Sequence, residues 1–262
     1  MSLLLVEGLG VLFPGRLAPQ AAVADVSFSL DRGECLAFVG ESGSGKSQIC
    51  LATAGLTLRA ATVRGTIRYS GHDLLRLPPV ELRRLRGRRI GFVFQDPASA
   101  LTPHLTIGEQ LTEIRRTHHG GDAAQLRDRA CAALEQVRIA DPLRRLAAYP
   151  HELSGGMRQR VALAAALVAE PEILIADEPT TALDVTVQAE VVALLRERVS
   201  AGLALLLVTH DFGVVAGLAD RVVVMRAGRV MEQGAVRALL ASPRHEYTRG
   251  LLAAVPVLED TG

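Results

Sequence analysis

Apolar positions along the chain fall into short continuous runs and longer stretches with helical spacing. Residues 36–39, 173–176, 203–208 and 222–225 are almost entirely apolar, which predicts strands buried on both faces of a sheet. Residues 26–30 alternate apolar and polar side chains, as a half-buried strand does. Further short strands are predicted over 3–6, 63–69 and 90–94.

Helices are predicted wherever apolar residues recur at helical spacing. The predicted helices cover 46–56, 106–116, 122–139, 154–169 and 186–199. Several of them lie between the strands predicted at 90–94 and 173–176, which indicates a helical insertion between two halves of an α/β core. Alternation of strands and helices elsewhere predicts a mostly parallel sheet covered on both faces.

Composition narrows the class of protein. The chain has 262 residues, of which 49% are apolar and 22% charged, and its formal net charge is +1. These values predict a folded chain and argue against a broad basic surface for nucleic-acid phosphates. Cys35, Cys50 and Cys131 are widely spaced, so neither a disulfide framework nor a structural zinc site is predicted. The longest apolar runs, 161–169 and 203–208, are far below the ~20 residues that span a bilayer, so we expect any work at a membrane to depend on partners.

One segment has the spacing of a phosphate-binding loop. Residues 40–47 fit G-x-x-x-x-G-K-[ST] between a predicted buried strand and a predicted helix. Glycines let the backbone N–H groups face phosphate oxygens, and the helix N-terminus adds its positive end. Lys46 is expected to reach the β- and γ-phosphates, and the Ser47 hydroxyl to bind Mg²⁺. The predicted nucleotide-binding residues are Gly40, Glu41, Ser42, Gly43, Ser44, Gly45, Lys46, Ser47 and Gln48.

Lys46 is also the only lysine in the chain, beside 28 arginines. A compact ammonium fits a tight loop as a point charge, whereas the guanidinium fork is larger and favours bidentate partners. A chance glycine-rich turn would not explain why the spacing, both flanking elements and the unique lysine coincide.

Two carboxylates follow the apolar strand at 173–176. One of this pair, Asp177 and Glu178, can hold Mg²⁺, and the other can orient or deprotonate the attacking water. Either carboxylate alone could instead cap a helix that begins after Pro179, but this alternative is weak beside a phosphate-binding loop.

With residues 153–157, Leu-Ser-Gly-Gly-Met, placed between these two sites, the chain resembles the ATP-binding subunits of ABC transporters. The segment is similar to the LSGGQ signature of that family, with methionine in the last place, and the resemblance covers about residues 3–256. It implies a P-loop NTPase core with a mostly parallel sheet, an N-terminal antiparallel β subdomain and an inserted helical subdomain. The implied boundaries within a single ABC ATPase domain, 1–262, are 1–96 and 170–262 for the core and 97–169 for the helical subdomain.

The resemblance implies that Asp177 is the Mg²⁺-binding aspartate and Glu178 the catalytic glutamate, and it assigns further residues. It implies that Gln95 contacts Mg²⁺ and the attacking water, and that His210 senses the γ-phosphate; alone, His210 would be an ordinary surface histidine. It implies a D-loop at 182–184, with Asp184 near the nucleotide. It makes Phe13 the expected adenine-stacking residue, although Phe13 could simply be part of the core. The signature residues expected to bind a partner's nucleotide are Ser154, Gly155 and Gly156.

Segments 94–97, 108–110 and 242–252 are similar to the peptide/nickel importer subfamily. Glu246 stands where that subfamily usually has proline, and Thr102 where it often has asparagine. The substrate stays open among dipeptides, oligopeptides, nickel, metal chelates and glutathione.

The resemblance also implies partners and a location. Two such subunits, identical or different, would sandwich two ATP molecules, each between the P-loop of one subunit and the signature of the other. Two transmembrane permease subunits would contact the dimer near Gln95 at the cytoplasmic face of the inner membrane, and a substrate-binding protein would act indirectly. Nucleic acid is not an expected partner.

Three alternatives remain at this level. The chain could serve an exporter, act as a soluble ATPase on nucleic acid or ribosomes, or be an inactive regulatory partner. The basic segment 83–89 could contact phosphates, but a solvated helix face and turn is the better interpretation. Intact Glu178 and His210 argue against an inactive partner.

Overall fold

A computed structural model describes residues 2–15, 18–96, 100–181 and 183–254. Its strands, in chain order, are β1 Leu4–Phe13, β2 Gln20–Leu30, β3 Cys35–Val39, β4 Thr62–Tyr69, β5 His72–Asp73, β6 Ile90–Val93, β7 Ile173–Asp177, β8 Ala204–Val208, β9 Arg221–Arg226 and β10 Arg229–Ala235. The helices are α1 Lys46–Thr53, α2 Pro79–Leu85, α3 Ile107–His119, α4 Ala123–Gln136, α5 Pro142–Leu146, α6 Gly155–Leu167, α7 Val185–Ser200, α8 Phe212–Leu218, α9 Val236–Ala241 and α10 Glu246–Ala253. A short 3₁₀ helix covers Pro150–Glu152.

The strands form two sheets. One is antiparallel, with the order β2-β1-β4-β5. The other has the order β10-β9-β3-β8-β7-β6, and only its edge pair β10/β9 is antiparallel. The predicted fold class, a mostly parallel sheet with an antiparallel β part and added helices, is therefore confirmed.

Every residue of β3, β7 and β8 is buried, as the continuous apolar runs predict for strands covered on both faces. Strand alternation divides β3 between two apolar clusters. Ala37 and Val39 face a cluster that includes α3, α4, α6 and α7, whereas Leu36 and Phe38 face one formed with the antiparallel sheet and α1. The six-stranded sheet is thus the wall that both clusters share.

The first strand is much longer than the predicted 3–6. Strand β1 continues to Phe13, but its pairing with β2 and β4 shifts register around Gly8. Gly8 has a φ of 60°, a left-handed conformation that fits a bulge. The bulge interrupts the alternation of apolar and polar positions. The sequence pattern therefore predicts a strand that ends before Gly8.

Short elements at the C-terminal end do not appear in the sequence prediction. Strand β10 is half exposed at the sheet edge, and helices α8, α9 and α10 have 7, 6 and 8 residues. Such elements span too few residues to establish a periodicity. Among the residues that the structure describes, helices α3 to α6 lie between β6 and β7, where the insertion is predicted; the subdomain boundaries 1–96, 97–169 and 170–262 stay a prediction.

The parallel strands end at one edge of the sheet. The phosphate-binding loop follows β3, Gln95 follows β6, Glu178 follows β7 and His210 follows β8. Since β3, β8, β7 and β6 are neighbours in that order, their carboxyl ends bring these segments together. A ligand crevice is expected at such an edge of an open α/β sheet.

Candidate functional site

The loop between β3 and α1 forms a cradle, which we define as residues 40–48. Gly40 and Gly45 have φ values of 147° and 99°, and a Cβ atom at either position would collide with a backbone carbonyl, that of Met225 or that of Ala22. Gly45 is the N-cap of α1 and has no side-chain cap, so the first backbone N–H groups of the helix face the loop. This is the geometry that an anion-binding helix N-terminus requires.

Lys46 is held inside the cradle by three oxygen acceptors. Its Nζ donates to the carbonyls of Gly40 and Glu41, both at 2.8 Å, and to Ser44 Oγ at 3.1 Å. The residue is only 6% exposed. Burial lowers the pKa of the ammonium, and the nearby carboxylates Glu178 and Asp177 oppose that shift. The chain's only lysine is therefore a nearly buried cation aimed into the loop.

Asp177, the last residue of β7, points at the start of α1. Its side chain accepts a hydrogen bond from Ser47, but its Oδ1 is buried without a partner. Burial raises the pKa of this carboxyl, partly offset by the Ser47 hydrogen bond. A hydroxyl beside an unsatisfied carboxylate oxygen is a suitable set of ligands for a hard divalent cation, so Ser47 and Asp177 fit Mg²⁺.

Glu178 is surrounded by polar side chains from the adjoining loops. Gln95 Nε2 donates to its Oε2 at 3.3 Å, and Thr181 Oγ1 donates to the same oxygen at 2.9 Å. His210 Nδ1 lies 3.6 Å from Glu178 Oε1. The backbone of Glu178 has a φ of 51°, a left-handed conformation that is strained for a residue with a side chain. Gln95 and His210, which are predicted to share a site with Glu178, thus lie beside its carboxylate.

A cavity of about 190 Å³ lies between the cradle and Glu178. It is lined by Ala22, Ser42, Gly43, Ser44, Gly45, Lys46, Ser47, Gln48, Gln95 and Glu178. Most of the residues predicted for phosphate binding therefore face one space, with a cation on one side and a carboxylate on the other.

Other predicted site residues lie away from this cavity. Ser154 is the N-cap of α6, where its Oγ accepts from the Met157 N–H at 3.3 Å, and Gly155 and Gly156 begin that helix. Asp184 caps α7, accepting from the Val187 N–H at 2.9 Å.

Phe13 ends β1 and packs partly against the apolar cluster of the antiparallel sheet. It is not among the cavity-lining residues, so its stacking on adenine stays a prediction. Ala182 of the predicted D-loop and Pro97 after the glutamine lie outside the described residues.

Two polar residues of the site were missed by sequence reasoning. Thr181 bonds the Glu178 carboxylate, and the buried Gln159 on α6 donates its amide to the Pro179 carbonyl at 2.7 Å. The second contact ties the helix behind the signature to the loop after β7. Thr181 lies within three residues of Glu178 and could have been weighed for that reason; Gln159 gave no local signal.

Comparisons with known proteins agree with this geometry. The family model described as ABC transporter matches residues 23–181. The oligopeptide transport ATP-binding protein OppD of Salmonella typhimurium is 46% identical over 261 residues, covering 99% of this chain and 78% of that protein. The dipeptide transport ATP-binding protein DppD of Escherichia coli is 46% identical over 258 residues, covering 98% and 79%.

Two solved structures superpose on most of this chain. A dimeric post-hydrolysis state of the ATP-binding cassette MJ0796, bound to ADP and Pi, superposes with a TM-score of 0.82 at 29% identity, covering 89% of this chain and 99% of that one. The structure of cbiO1 from Clostridium perfringens, part of the ABC transporter complex cbiONQ, superposes with a TM-score of 0.76 at 30% identity, covering 92% of this chain and 91% of that one.

Proposed function

Because this chain belongs to the ABC transporter family of ATP-binding, ATP-hydrolysing subunits, we propose that it energises peptide uptake through separate membrane subunits. One observation carries the proposal: Lys46, Gln95 and Glu178 line a single cavity in a chain that is similar along nearly its whole length to peptide-transport ATP-binding proteins. The exporter and nucleic-acid alternatives have no comparable support among these relatives.

The cradle supplies the charge stabilisation that phosphoryl transfer needs. The N-terminus of α1 and the Lys46 ammonium would face the β- and γ-phosphates of ATP. Ser47 and Asp177 would hold Mg²⁺, which when bound neutralises charge on the phosphate oxygens. Binding ATP requires Lys46 to redirect part of its hydrogen bonding from loop carbonyls to phosphate, and three N–H donors allow this.

Glu178 is the proposed general base. Its carboxylate would take the proton of the water that attacks the γ-phosphate, while the hydrogen bonds from Gln95 and Thr181 fix its orientation. His210 lies on the opposite side of the carboxylate and is more than half exposed, so it is free to contact a phosphate that enters the cavity. Catalysis then consists mainly of positioning and charge stabilisation.

The second half of the site is proposed to come from a partner subunit. Ser154 and Gly155 are exposed at the N-terminus of α6, where backbone N–H groups and the helix dipole would suit a γ-phosphate held by another subunit. Asp184 is proposed to approach nucleotide in that closed dimer, and Phe13 is proposed to stack on adenine. Whether the partner is identical or different is an outcome of experiment.

The proposed membrane partners are two permease subunits, with a substrate-binding protein acting through them. In the part of the chain that the structure describes, no helix combines the length and apolar character of a membrane span. We place the subunit at the cytoplasmic face of the membrane because its relatives are transport ATP-binding proteins. Phe94, which is 40% exposed next to Gln95, is an apolar side chain available for a permease contact.

The test is uptake in the source organism. Deleting the gene should abolish uptake of labelled di- and tripeptides, and the wild-type gene should restore it. A gene carrying Glu178→Gln, expressed to the same level, should not. Loss of ⁶³Ni uptake with normal peptide uptake would replace peptides by nickel as cargo, and unchanged uptake of both would contradict the importer proposal.

A further inference from the structure

The C-terminal helix α10 reaches the phosphate cradle through one side chain, Tyr247. The backbone N–H of Glu41 donates a hydrogen bond to the Tyr247 hydroxyl at 3.3 Å, and the two residues are 206 positions apart. The phosphate-binding motif itself does not call for this contact. It joins the end of the chain to the loop that holds nucleotide.

The N–H of Glu41 belongs to the same peptide unit as the carbonyl of Gly40. The described residues contain no cis peptide bond, so the N–H and C=O of this unit point in opposite directions. The Gly40 oxygen accepts from Lys46 Nζ at 2.8 Å. The Gly40–Glu41 peptide therefore bonds Tyr247 through its N–H and Lys46 through its C=O. Each of these hydrogen bonds polarises the peptide and so strengthens the other.

Strand β9 holds both ends of this connection. The carbonyl of Met225 packs so closely on Gly40 that no Cβ atom would fit there. The next residue, Arg226, places its guanidinium carbon 4.9 Å from the centre of the Tyr247 ring. Burial raises the pKa of the Tyr247 phenol.

Helix α10 is itself fixed at its start. The Glu232 carboxylate on β10 accepts from the backbone N–H groups of Arg244 at 2.9 Å and His245 at 3.1 Å. Tyr247 and Leu251 pack against the apolar cluster of the parallel sheet. The tyrosine hydroxyl thus has a defined position relative to the sheet, and not merely to a surface loop.

We propose that Tyr247 is a positioning residue for ATP binding: its hydroxyl orients the Gly40–Glu41 peptide, and that peptide holds Lys46 where the β- and γ-phosphates bind. Tyr247 acts through the backbone and does not touch the substrate. Its removal should therefore weaken nucleotide binding more than the chemical step.

Tyr247→Phe tests this assignment because it removes the hydroxyl and keeps the ring under Arg226. Tyr247→Phe removes the hydroxyl's hydrogen bonds with the Glu41 backbone and the Glu41 side chain. We expect the dissociation constant of the full chain for mant-ATP with Mg²⁺, and the KM for ATP, to rise about three- to tenfold, the range expected for lost hydrogen bonds. We expect kcat to change less than about twofold, because Glu178 and its partners are untouched.

Tyr69→Phe is the matched control. Tyr69 is a buried tyrosine at the end of β4 whose hydroxyl bonds Glu172, outside the cavity. Its substitution removes an equivalent group and should lower the thermal midpoint without changing the KM for ATP. Amide hydrogen exchange in nucleotide-free protein adds a direct readout: the peptide containing Glu41 should exchange faster in Tyr247→Phe and at the wild-type rate in Tyr69→Phe.

Two results would overturn the proposal. An unchanged KM and unchanged exchange at Glu41 in Tyr247→Phe would reduce the contact to packing. An equal rise in KM for both variants would show that general loss of stability, rather than the Gly40–Glu41 peptide, weakens nucleotide binding.

Discussion

The phosphate cradle and the signature segment both present a helix N-terminus, but in opposite settings. At α1 the N-terminus is enclosed: Lys46 is nearly buried, and loop, cation and Glu178 line one cavity. At α6 the N-terminus is open: Ser154 and Gly155 are exposed, and neither lines the cavity beside Lys46. The helix N-terminus at α1 thus belongs to a site that is complete within this chain. Within the described part of the chain, the helix N-terminus at α6 has no opposing surface.

This difference separates what the chain does alone from what it does in an assembly. The cradle has its cation, its hydroxyl and its acidic residues in place without a partner, so nucleotide binding should belong to the single subunit. The N-terminus of α6 has donors and no counter-charge, so its contribution should appear only when a second subunit brings nucleotide to it. Binding and turnover should therefore respond differently to changes in the two regions.

Glu178→Gln should give the largest effect on turnover. Replacing the carboxylate by an amide removes the proton acceptor, so the ATPase rate of the assembled complex should fall by about 10² to 10⁴. ATP binding should stay within about twofold of wild type, and ATP should accumulate in a closed dimer detectable by size-exclusion chromatography. Hydrolysis at the wild-type rate would show that Glu178 is not the base.

Lys46→Arg should give the next largest effect. The substitution keeps the net charge, but the guanidinium cannot occupy the space between Gly40, Glu41 and Ser44 as a point charge. Turnover should fall by about 10²-fold, the cost of losing one stabilising donor in a phosphate or oxyanion site. Circular dichroism should be unchanged. Full activity in this variant would make the single lysine an accident of composition.

A pair of glycine substitutions compares the two regions directly. Gly45→Ala forces a side chain into a left-handed position against the Ala22 carbonyl, which costs about 1–3 kcal/mol and should weaken mant-ATP binding on the order of tenfold or more. In Gly155→Ala, the added Cβ would meet no atom of the described residues within 4 Å. This variant should leave mant-ATP affinity and thermal midpoint unchanged and lower turnover only in the dimer.

The Gly155 result is the more informative half of the pair. Wild-type turnover of the assembled complex with Gly155→Ala would contradict the proposal that α6 meets a partner's nucleotide. Weakened binding in the isolated subunit would show that the signature acts within its own chain.

The contrast between the regions also explains how far the sequence could predict the structure. The cradle depends on local constraints: Gly40, Gly45, Lys46 and Ser47 lie within eight positions, and phosphate chemistry dictates each residue type. Gln95, Glu178 and His210 come together because neighbouring parallel strands end at one edge, a consequence of the predicted fold.

Other contacts were not predictable in this way. The hydrogen bond between Tyr247 and Glu41 and the one between Gln159 and Pro179 depend on tertiary packing. Nothing in the local pattern marks a phenol that will reach a loop 206 residues away. The length of β1 was underestimated for a related reason, since the bulge at Gly8 is stabilised by pairing with β2 and β4 rather than by local preference.

The smallest expected effect concerns the stability cost of the cradle. Burial raises the pKa of Asp177, so the folded state binds this proton more tightly than the unfolded state, and the free energy of unfolding decreases as pH rises through that range.

Asp177→Asn removes the buried charge. Without nucleotide and Mg²⁺ it should raise the thermal midpoint at pH 7 by on the order of 2 to 4 °C, the shift that 1 kcal/mol produces in a domain of this size. The gain should shrink as the pH falls and the wild-type carboxyl becomes protonated. The variant should also lose the extra stabilisation that Mg²⁺ adds to ATP, because Oδ1 no longer offers a charged oxygen. A pH-independent decrease in the midpoint would instead mean that the Asp177 carboxylate stabilises the empty site, and the cradle would then carry no cost that nucleotide and Mg²⁺ must offset.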